Sequence, residues 1–328
     1  MENSSLPLFE RIALDETAHF SHFAAAIGFF DGLHRGHQYL LSMLRQLAQE
    51  RHLGTLAVTF KEHPRRVLGH PSAPALLTPR TSLPLLLREQ GIQQCALLHF
   101  TPQMAAMSAQ EFMEQVLHEQ LQVRTLLIGY DHHFGRPRQG EGFEQYRQYG
   151  ERLGIEVLCA DAFRLTPPPD VAVPKVSSSS IRLLLQQGNV CQAAELLGRP
   201  YRLEGHIVRG RQNGRKIGFP TANLCLNISH QLVPQLGVYA TRTWIDGKPH
   251  ASMTNIGRRP TLNNGDDVSI ETHVFDLEQD LYEKKIALDF IERLRDEHHF
   301  ESLDALIAQL GRDALQARQV LKATALSS

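Results

Sequence analysis

Between an apolar run, Phe23 to Phe30, and an amphipathic segment, Tyr39 to Leu47, stands Gly28-Phe29-Phe30-Asp31-Gly32-Leu33-His34-Arg35-Gly36-His37. The run has the apolar density of a buried strand, and Leu40, Leu44 and Leu47 recur on one face of a helix. The decapeptide is therefore the turn between them, with glycines where the chain must bend sharply. Such a turn presents backbone N–H groups and a positive helix end to an anion, and phosphate is the natural guest. His34 and His37, three residues apart at the helix mouth, can reach one polyphosphate and donate hydrogen bonds as charge develops. Taken alone, the same two histidines read equally as surface or capping residues.

A strand at Leu53 to Phe60 completes a βαβ unit, so the sheet is expected to be parallel with a right-handed crossover. After a proline-rich loop, Glu62 to Pro79, the alternation continues. Helices are expected at Ser82 to Gln90, Ala109 to Glu119 and Phe143 to Leu153, and strands at Cys95 to Phe100, Thr125 to Gly129 and Ile155 to Ala160. Residues 1 to 22 read as an edge strand or a covering segment. In open parallel sheets ligands bind beyond the carboxyl ends of the strands, and the polar candidates fall there. Asp31, His34 and His37 follow the first strand, His63 and Arg65 the second, and Asp131 with Arg136 the fourth. Each could be a solvated loop residue, but their shared location argues for one site.

Pro167, Pro168 and Pro169 break the pattern, and Lys175-Val176-Ser177-Ser178-Ser179-Ser180-Ile181-Arg182 opens a helix. Capping needs one hydroxyl, so the run can also offer donors to phosphate oxygens, with Arg182 adding charge; a serine-rich surface loop is the plain alternative. From Tyr201 onward the regime changes to short apolar stretches punctuated by Gly, Asn, Asp and Pro. These are Leu203 to Val208, Gly237 to Ile245, His250 to Ile256, Val268 to Phe275 and Lys284 to Phe290, with Asp246-Gly247 and Asn264-Gly265 as hairpin turns. An antiparallel sheet or small barrel follows, covered by a terminal helix carrying Leu303, Leu306, Ile307 and Leu310. Gly210, Gly214 and Gly218 permit close approach to phosphate or simply mark turns.

A chain of 328 residues has room for two domains with cores. With 34 Lys and Arg against 35 Asp and Glu, bulk electrostatic binding of nucleic acid or an anionic membrane is not expected. The first residues carry Glu2, Glu10, Asp15 and Glu16 without a continuous apolar segment, and nowhere is there an apolar run of about 18 residues. The cytoplasm is the expected location. Cys95, Cys159, Cys191 and Cys225 lack metal-binding spacing and are expected to be free thiols.

The decapeptide resembles the Gly-x-Phe-Asp-Gly-x-His-x-Gly-His signature of the nucleotidylyltransferase superfamily, and Lys175 to Arg182 resembles its Ser-Ser-Thr-x-x-Arg motif, with Ser179 at the threonine. Thr59 to Arg65 resembles Thr-Phe-x-Pro-His-Pro-Arg with Glu62 in place of proline. Leu127 to Arg136 resembles a strand and loop that face flavin and nucleotide, with His132 and His133 for the usual Phe-Arg, and Ser180 stands at an often basic position. In the second half, Gly214-Arg215-Lys216-Ile217-Gly218-Phe219-Pro220-Thr221-Ala222-Asn223 resembles the riboflavin kinase signature Gly-Arg-x-x-Gly-Phe-Pro-Thr-Ala-Asn. Asn255 to Thr261 resembles Asn-Ile-Gly-x-Arg-Pro-Thr, Ile270 to His273 the strand of the catalytic glutamate, and Arg293 to Phe300 the Arg-Leu-Arg-x-Glu-x-x-Phe of the flavin pocket.

From about residue 22 to 313 the chain is thus similar to the bacterial bifunctional riboflavin kinase/FAD synthetase family. The resemblance implies a Rossmann-like nucleotidylyltransferase domain with a parallel sheet over 1–183. It implies a small antiparallel β-barrel kinase domain with a C-terminal helix over 184–328. It implies phosphorylation of riboflavin by ATP to FMN, then adenylylation of FMN by ATP to FAD and pyrophosphate, with Mg²⁺. In the first domain it places His34, His37, Ser178, Ser179 and Arg182 on the ATP phosphates, and Gly28, Phe30, Asp31, Gly36, His63, Asp131 and Arg136 around nucleotide and flavin. In the second it gives Thr221 and Asn223 to Mg²⁺ and makes Glu271 the general base. Gly210, Gly214, Gly218, Pro220, Asn255 and Arg295 then line the nucleotide and flavin sites.

Without those motifs Glu271 reads as a solvent-facing charge on a barrel strand, and Arg295 as a helix residue bridging to Glu292 or His299. The departures at Glu62, His132, His133 and Ser180 frame an alternative, a riboflavin kinase with weak or absent adenylyltransferase activity; a non-enzymatic flavin or nucleotide sensor is the more remote one. Flavins and ATP are the expected partners, with no nucleic acid, no membrane and no obligate protein partner beyond transient self-association.

Overall fold

The chain divides into two units, Met1–Pro74 with Arg80–Val176, and Ala75–Pro79 with Ser177–Ser328. The structure, a computed structural model, describes residues 8–17, 19–67, 69, 73–130, 134–135, 142–163, 175–210, 214, 217–226, 230–259 and 267–325.

In the first unit six strands form one sheet in the order β1-β4-β3-β2-β5-β6. They are β1 (Phe9–Ala13), β2 (Phe23–Ile27), β3 (Gly54–Phe60), β4 (Gln94–Leu98), β5 (Val123–Gly129) and β6 (Glu156–Ala160). Strands β2 to β6 pair in parallel, whereas β1 joins β4 antiparallel as an edge strand. The order reverses between β2 and β5, which makes the carboxyl end of β2 a topological switch point.

Alternate residues of the central strands supply two cores. Ala25, Ile27, Leu56, Val58, Leu126 and Ile128 face one side, while Ala24, Ala26, Ala57 and Leu127 face the other. The alanines of β2 let helix α1 (Arg35–Glu50) lie close, with Leu40, Leu41, Leu44 and Ala48 buried on its inner face. Helix α2 (Leu83–Glu89) joins that layer through Leu83 and Leu87. On the opposite face lie a π-helix, Phe112–Gln120, and α3 (Phe143–Leu153), packed through Phe112, Val116 and Tyr146.

The second unit contains α4 (Ser178–Gln186), α5 (Val190–Leu197) and a closed barrel with strand order β10-β11-β8-β7-β12-β9. The strands are β7 (Tyr201–Val208), β8 (Ala222–Cys225), β9 (Gly237–Ile245), β10 (Lys248–Arg259), β11 (Asp267–Val274) and β12 (Lys285–Arg295). Asp246 and Gly247, both with positive φ (49° and 78°), make the tight turn from β9 to β10. Helix α6 (Leu303–Ala325) covers the barrel, placing Ala317 and Leu321 against Ala240, Met253 and Phe275. On the other face of β9, fully buried hydroxyls connect Thr243 to Ser252 (2.8 Å), Ser252 to Thr241 (2.8 Å), Thr241 to Thr254 (2.8 Å) and Thr254 to Thr272 (3.0 Å).

Three expectations change. The strand expected to reach Phe30 stops at Ile27, because Phe30 takes left-handed angles (φ 51°, ψ 28°) that no strand can contain. A sixth barrel strand, β8, begins at Ala222 within the Pro-Thr-Ala-Asn segment and runs on to Cys225. Strand β12 runs through register shifts after Phe290 as far as Arg295, so Arg293 to Arg295 are strand, not helix. Within the second unit, Leu76 of the proline-rich segment forms a bridge with Gln231. Asn264-Gly265 lies outside the described residues.

Candidate active sites

Beyond the carboxyl end of β2 the chain makes a strained turn. Phe30 (φ 51°), Gly32 (φ 80°) and Leu33 (φ 39°) all adopt positive φ, two of them with side chains that disfavour it. Phe30 is fully buried and Asp31 is 3% exposed, so burial holds the turn in shape. His34 then caps α1: its Nδ1 accepts the His37 main-chain N–H at 3.3 Å. An accepting Nδ1 carries no proton, which leaves Nε2 as the donor of neutral His34. The rings of His34 and His37 stack at 3.7 Å and 15°, so the pair is one preformed unit at the helix mouth. Gly36 fits beneath it, since a Cβ there would stand 3.2 Å from His34 Nδ1; a Cβ on Gly28 would meet the Phe30 ring at 3.1 Å. His63 lies edge-on to Phe29 at 4.7 Å.

Sequence reasoning passed over one residue here. Arg80 donates from Nη1 to Phe29 O (2.9 Å) and from Nη2 to Thr59 Oγ1 (2.9 Å) and Phe60 O (2.5 Å), with its guanidinium 4.5 Å from the centre of the Phe29 ring. Burial lowers its pKa to about 10, opposed by attraction to Asp31, so it is cationic at neutral pH. A single arginine just after a proline-rich loop carries no spacing that would have singled it out.

In the second unit, Ser177 caps α4, accepting from Ser180 N at 3.2 Å, and the two hydroxyls lie 2.9 Å apart. One hydroxyl therefore does the capping while Ser179 is exposed. Arg182 Nε donates to Ala75 O at 2.8 Å. Asp131, Arg136, His132 and His133, and the side chain of Arg65, lie outside the described residues.

The barrel brings together what the sequence scattered. Register pairs Asn255 with Glu271 across β10 and β11, and Glu271 with Asn223 across β11 and β8. Asn255, Glu271 and Asn223 thus form a row over three strands, with neighbours about 5 Å apart at Cβ. Thr221 Oγ1 donates to Glu271 Oε2 at 3.3 Å, which leaves its lone pairs available. His273, one pleat along from Glu271, places Nδ1 2.8 Å from Pro220 O; a carbonyl only accepts, so Nδ1 carries the proton. Gly210 allows Asn223 its position, since a Cβ would fall 2.2 Å from Asn223 Nδ2, and a Cβ on Gly214 would fall 2.2 Å from Phe219 O. Gly218 sits at φ 82°.

A cavity of about 320 Å³ opens beside this row, lined by Met253, Asn255, Glu271, Arg295, Phe300 and Leu310 among others. A second, of about 100 Å³, is lined by Ile207, Pro220, Thr272, Leu281 and Tyr282. Thr221 lines both. Arg295 pairs neither with Glu292 nor with His299 but with Asp313 of α6, through Nε (3.0 Å) and Nη2 (2.7 Å), and Gln309 donates to the same carboxylate at 2.8 Å. Asp313 was missed because a lone acid on an amphipathic helix looks like a solvated one; here it is 1% exposed. Among the described residues there is no cluster of three His, Cys, Asp or Glu side chains fit to hold a metal. Thr221, Asn223 and Glu271 are nonetheless oxygen donors of the kind a hard divalent cation takes, with room for phosphate oxygens to complete the shell.

Family models match both halves: FAD synthetase over residues 16–168 and riboflavin kinase over 197–321. A bifunctional riboflavin kinase/FMN adenylyltransferase of Escherichia coli K12 is 35% identical over 294 residues, covering 89% of this chain and 91% of that protein. The proteins of that description from Pseudomonas fluorescens (34%, covering 90% and 91%) and Bacillus subtilis (33%, covering 89% and 90%) are similar over the same extent. A solved structure described as a macrolide-efflux protein from Streptococcus pneumoniae matches with TM-score 0.80 and 30% identity, over 92% of this chain and 95% of that one. Among the described residues of this chain, no helix is long and apolar enough to cross a membrane.

Proposed function

We propose how a chain that belongs to the family of bifunctional riboflavin kinase/FMN adenylyltransferases divides two phosphorus chemistries among its residues. The protein phosphorylates riboflavin with ATP to FMN, and adenylylates FMN with ATP to FAD and pyrophosphate.

For the kinase step, the observation that carries the reading is the row Asn255, Glu271, Asn223 beside Thr221, the residue shared by two cavities. The larger cavity takes the flavin ring, and the smaller one the nucleoside of ATP against Tyr282. The γ-phosphoryl group then crosses at Thr221. Glu271 accepts the proton of the riboflavin 5′-hydroxyl as that oxygen attacks γ-phosphorus and ADP leaves. Thr221 and Asn223 hold the Mg²⁺ of the nucleotide. That ion supplies neutralisation of phosphate charge. Asn255 and Arg295 orient the flavin, and Gly210, Gly214, Gly218 and Pro220 keep backbone close to phosphate.

For adenylyl transfer, an FMN phosphate oxygen attacks the α-phosphorus of ATP and pyrophosphate departs. No covalent enzyme intermediate is needed, so the work is alignment and neutralisation of oxygens. His34, through Nε2, and His37 donate to the phosphates. Ser178, Ser179 and Arg182 grip the polyphosphate tail, and Gly28, Phe30, Asp31, Gly36, His63, Asp131 and Arg136 shape the nucleotide and flavin surroundings. The four free thiols fit a reducing compartment, and the cytoplasm is the proposed one.

The deciding experiment separates products by chromatography after incubation with ATP and Mg²⁺, with riboflavin or FMN supplied in parallel. FAD from both supports the two-site reading. FMN without onward FAD, and no conversion of supplied FMN, would leave the kinase alone and overturn the adenylyl-transfer roles.

A further inference from the structure

We infer that Arg80 is a positioning residue for adenylyl transfer, holding the strained turn that carries His34 and His37 by tying the carboxyl end of β3 to the chain just beyond β2. Its guanidinium fork reaches three oxygens at the place where the two strands release their chains: Phe29 O on one side, Thr59 Oγ1 and Phe60 O on the other. Phe29 O belongs to the peptide that enters the left-handed Phe30, so the contact fixes the first bend of the turn. A non-glycine residue keeps such angles only where its surroundings over-determine them.

The same guanidinium lies over the Phe29 ring, whose edge partner is His63. One side chain therefore sets both the histidine pair and a third candidate residue. Arg80 is cationic and attracted to buried Asp31 within the turn. Its Nε is buried without a hydrogen-bond partner among the described residues, a cost that an arrangement serving stability alone would avoid. Lysine would keep the charge but place one point donor where three oxygens need a planar fork.

The inference rests on the adenylyl-transfer reading of the histidines. Full FAD formation by H37A would refute that reading itself, whatever Arg80 does. The test is R80K, assayed for both reactions in the same preparation. Hydrogen-exchange protection of the β5 and β6 amides, read by mass spectrometry, reports the fold of the first unit. Because Arg80 is argued to align reacting groups rather than bind substrate, kcat for FMN adenylylation should fall about tenfold or more, with KM for ATP and FMN within about threefold. Riboflavin phosphorylation should be unchanged.

A kcat within twofold of the parent, or a raised KM with unchanged kcat, would overturn the inference. If R80K loses that protection, T59V decides. It removes one acceptor of Arg80 and also the Thr59 hydroxyl's own 3.3 Å bond to Phe29 O, so both ties between β3 and the turn weaken; an unchanged adenylylation kcat in that variant would overturn the inference, whereas a fall of about threefold would support it.

Discussion

Asp313→Ala removes the carboxylate that Arg295 and Gln309 share. The Arg295 and Asp313 side chains are 16% and 2% exposed, so the pair is largely withdrawn from water. Removing one partner of such a pair costs about 3–5 kcal/mol, because the other charge is left without compensation. Arg295 keeps a hydrogen bond from Nη1 to Asp296 O at 2.8 Å and borders a cavity that can admit water, which argues for the lower end. At about 2–4 °C per kcal/mol for a unit of this size, a loss of about 3 kcal/mol lowers the melting temperature by about 6–12 °C. The chain has one tryptophan, Trp244 on β9, so its fluorescence follows unfolding of the second unit without interference from the first. The freed Arg295 also loses its orientation in the cavity, so the KM for riboflavin should rise more than kcat falls. D313N should lie between, keeping shape while losing charge. A Trp244 transition displaced by less than about 2 °C, with an unchanged riboflavin KM, would refute the argument.

E271Q should abolish FMN formation while leaving conversion of supplied FMN to FAD intact; equal loss of both in folded protein would end the separation of sites. H37A should do the reverse, lowering FAD formation by about 10²-fold if its donor meets charge that grows in the transition state, with riboflavin phosphorylation as the internal control. Glu156 is held below the ordinary carboxylate range by its hydrogen bond from Arg51, across Nε–Oε2 at 2.6 Å. A depressed folded-state pKa contributes stability above the unfolded value of 4.5 and loses it as pH falls through the folded value. R51Q should therefore be less stable at neutral pH and flatter in its acid limb, and coincident acid-unfolding curves for parent and variant would contradict this.

The alternation of apolar strands and amphipathic helices was legible from β2 to β6 because β2 to β5 are buried on both faces and each helix keeps one apolar stripe. What the sequence could not carry was pairing. Strand β8 is four residues long and built from Ala, Asn, Leu and Cys, so it has too little β-branched character to announce itself. Yet it completes the barrel and brings Asn223 beside Glu271. Arg295 looked helical because its neighbours are charged at helical spacing, whereas β-bulges carry β12 onward to it. Its partner Asp313 comes from a helix that only the closed barrel brings near. The candidate site residues were legible as motifs; Arg80 and Asp313, which bond to the chain beside them, belong to no motif.

The hydroxyls inside the barrel accept a consistent donor order. Thr243 gives to Ser252, Ser252 to the Thr241 carbonyl, Thr241 to Thr254, Thr254 to Thr272, and Thr272 to the Met253 carbonyl. Such a chain acts as a proofreader of assembly. Sliding β10 by one residue would turn Ser252 and Thr254 outward and Met253 inward, stranding Thr241, Thr243 and Thr272 in a dry interior. At about 1–3 kcal/mol for each stranded group, the misaligned barrel would forfeit a large fraction of a typical domain's net stability. A greasy interior would have forgiven that slip. The polar one lets the barrel close stably in one register alone, so the row Asn255, Glu271, Asn223 is aligned before any substrate arrives.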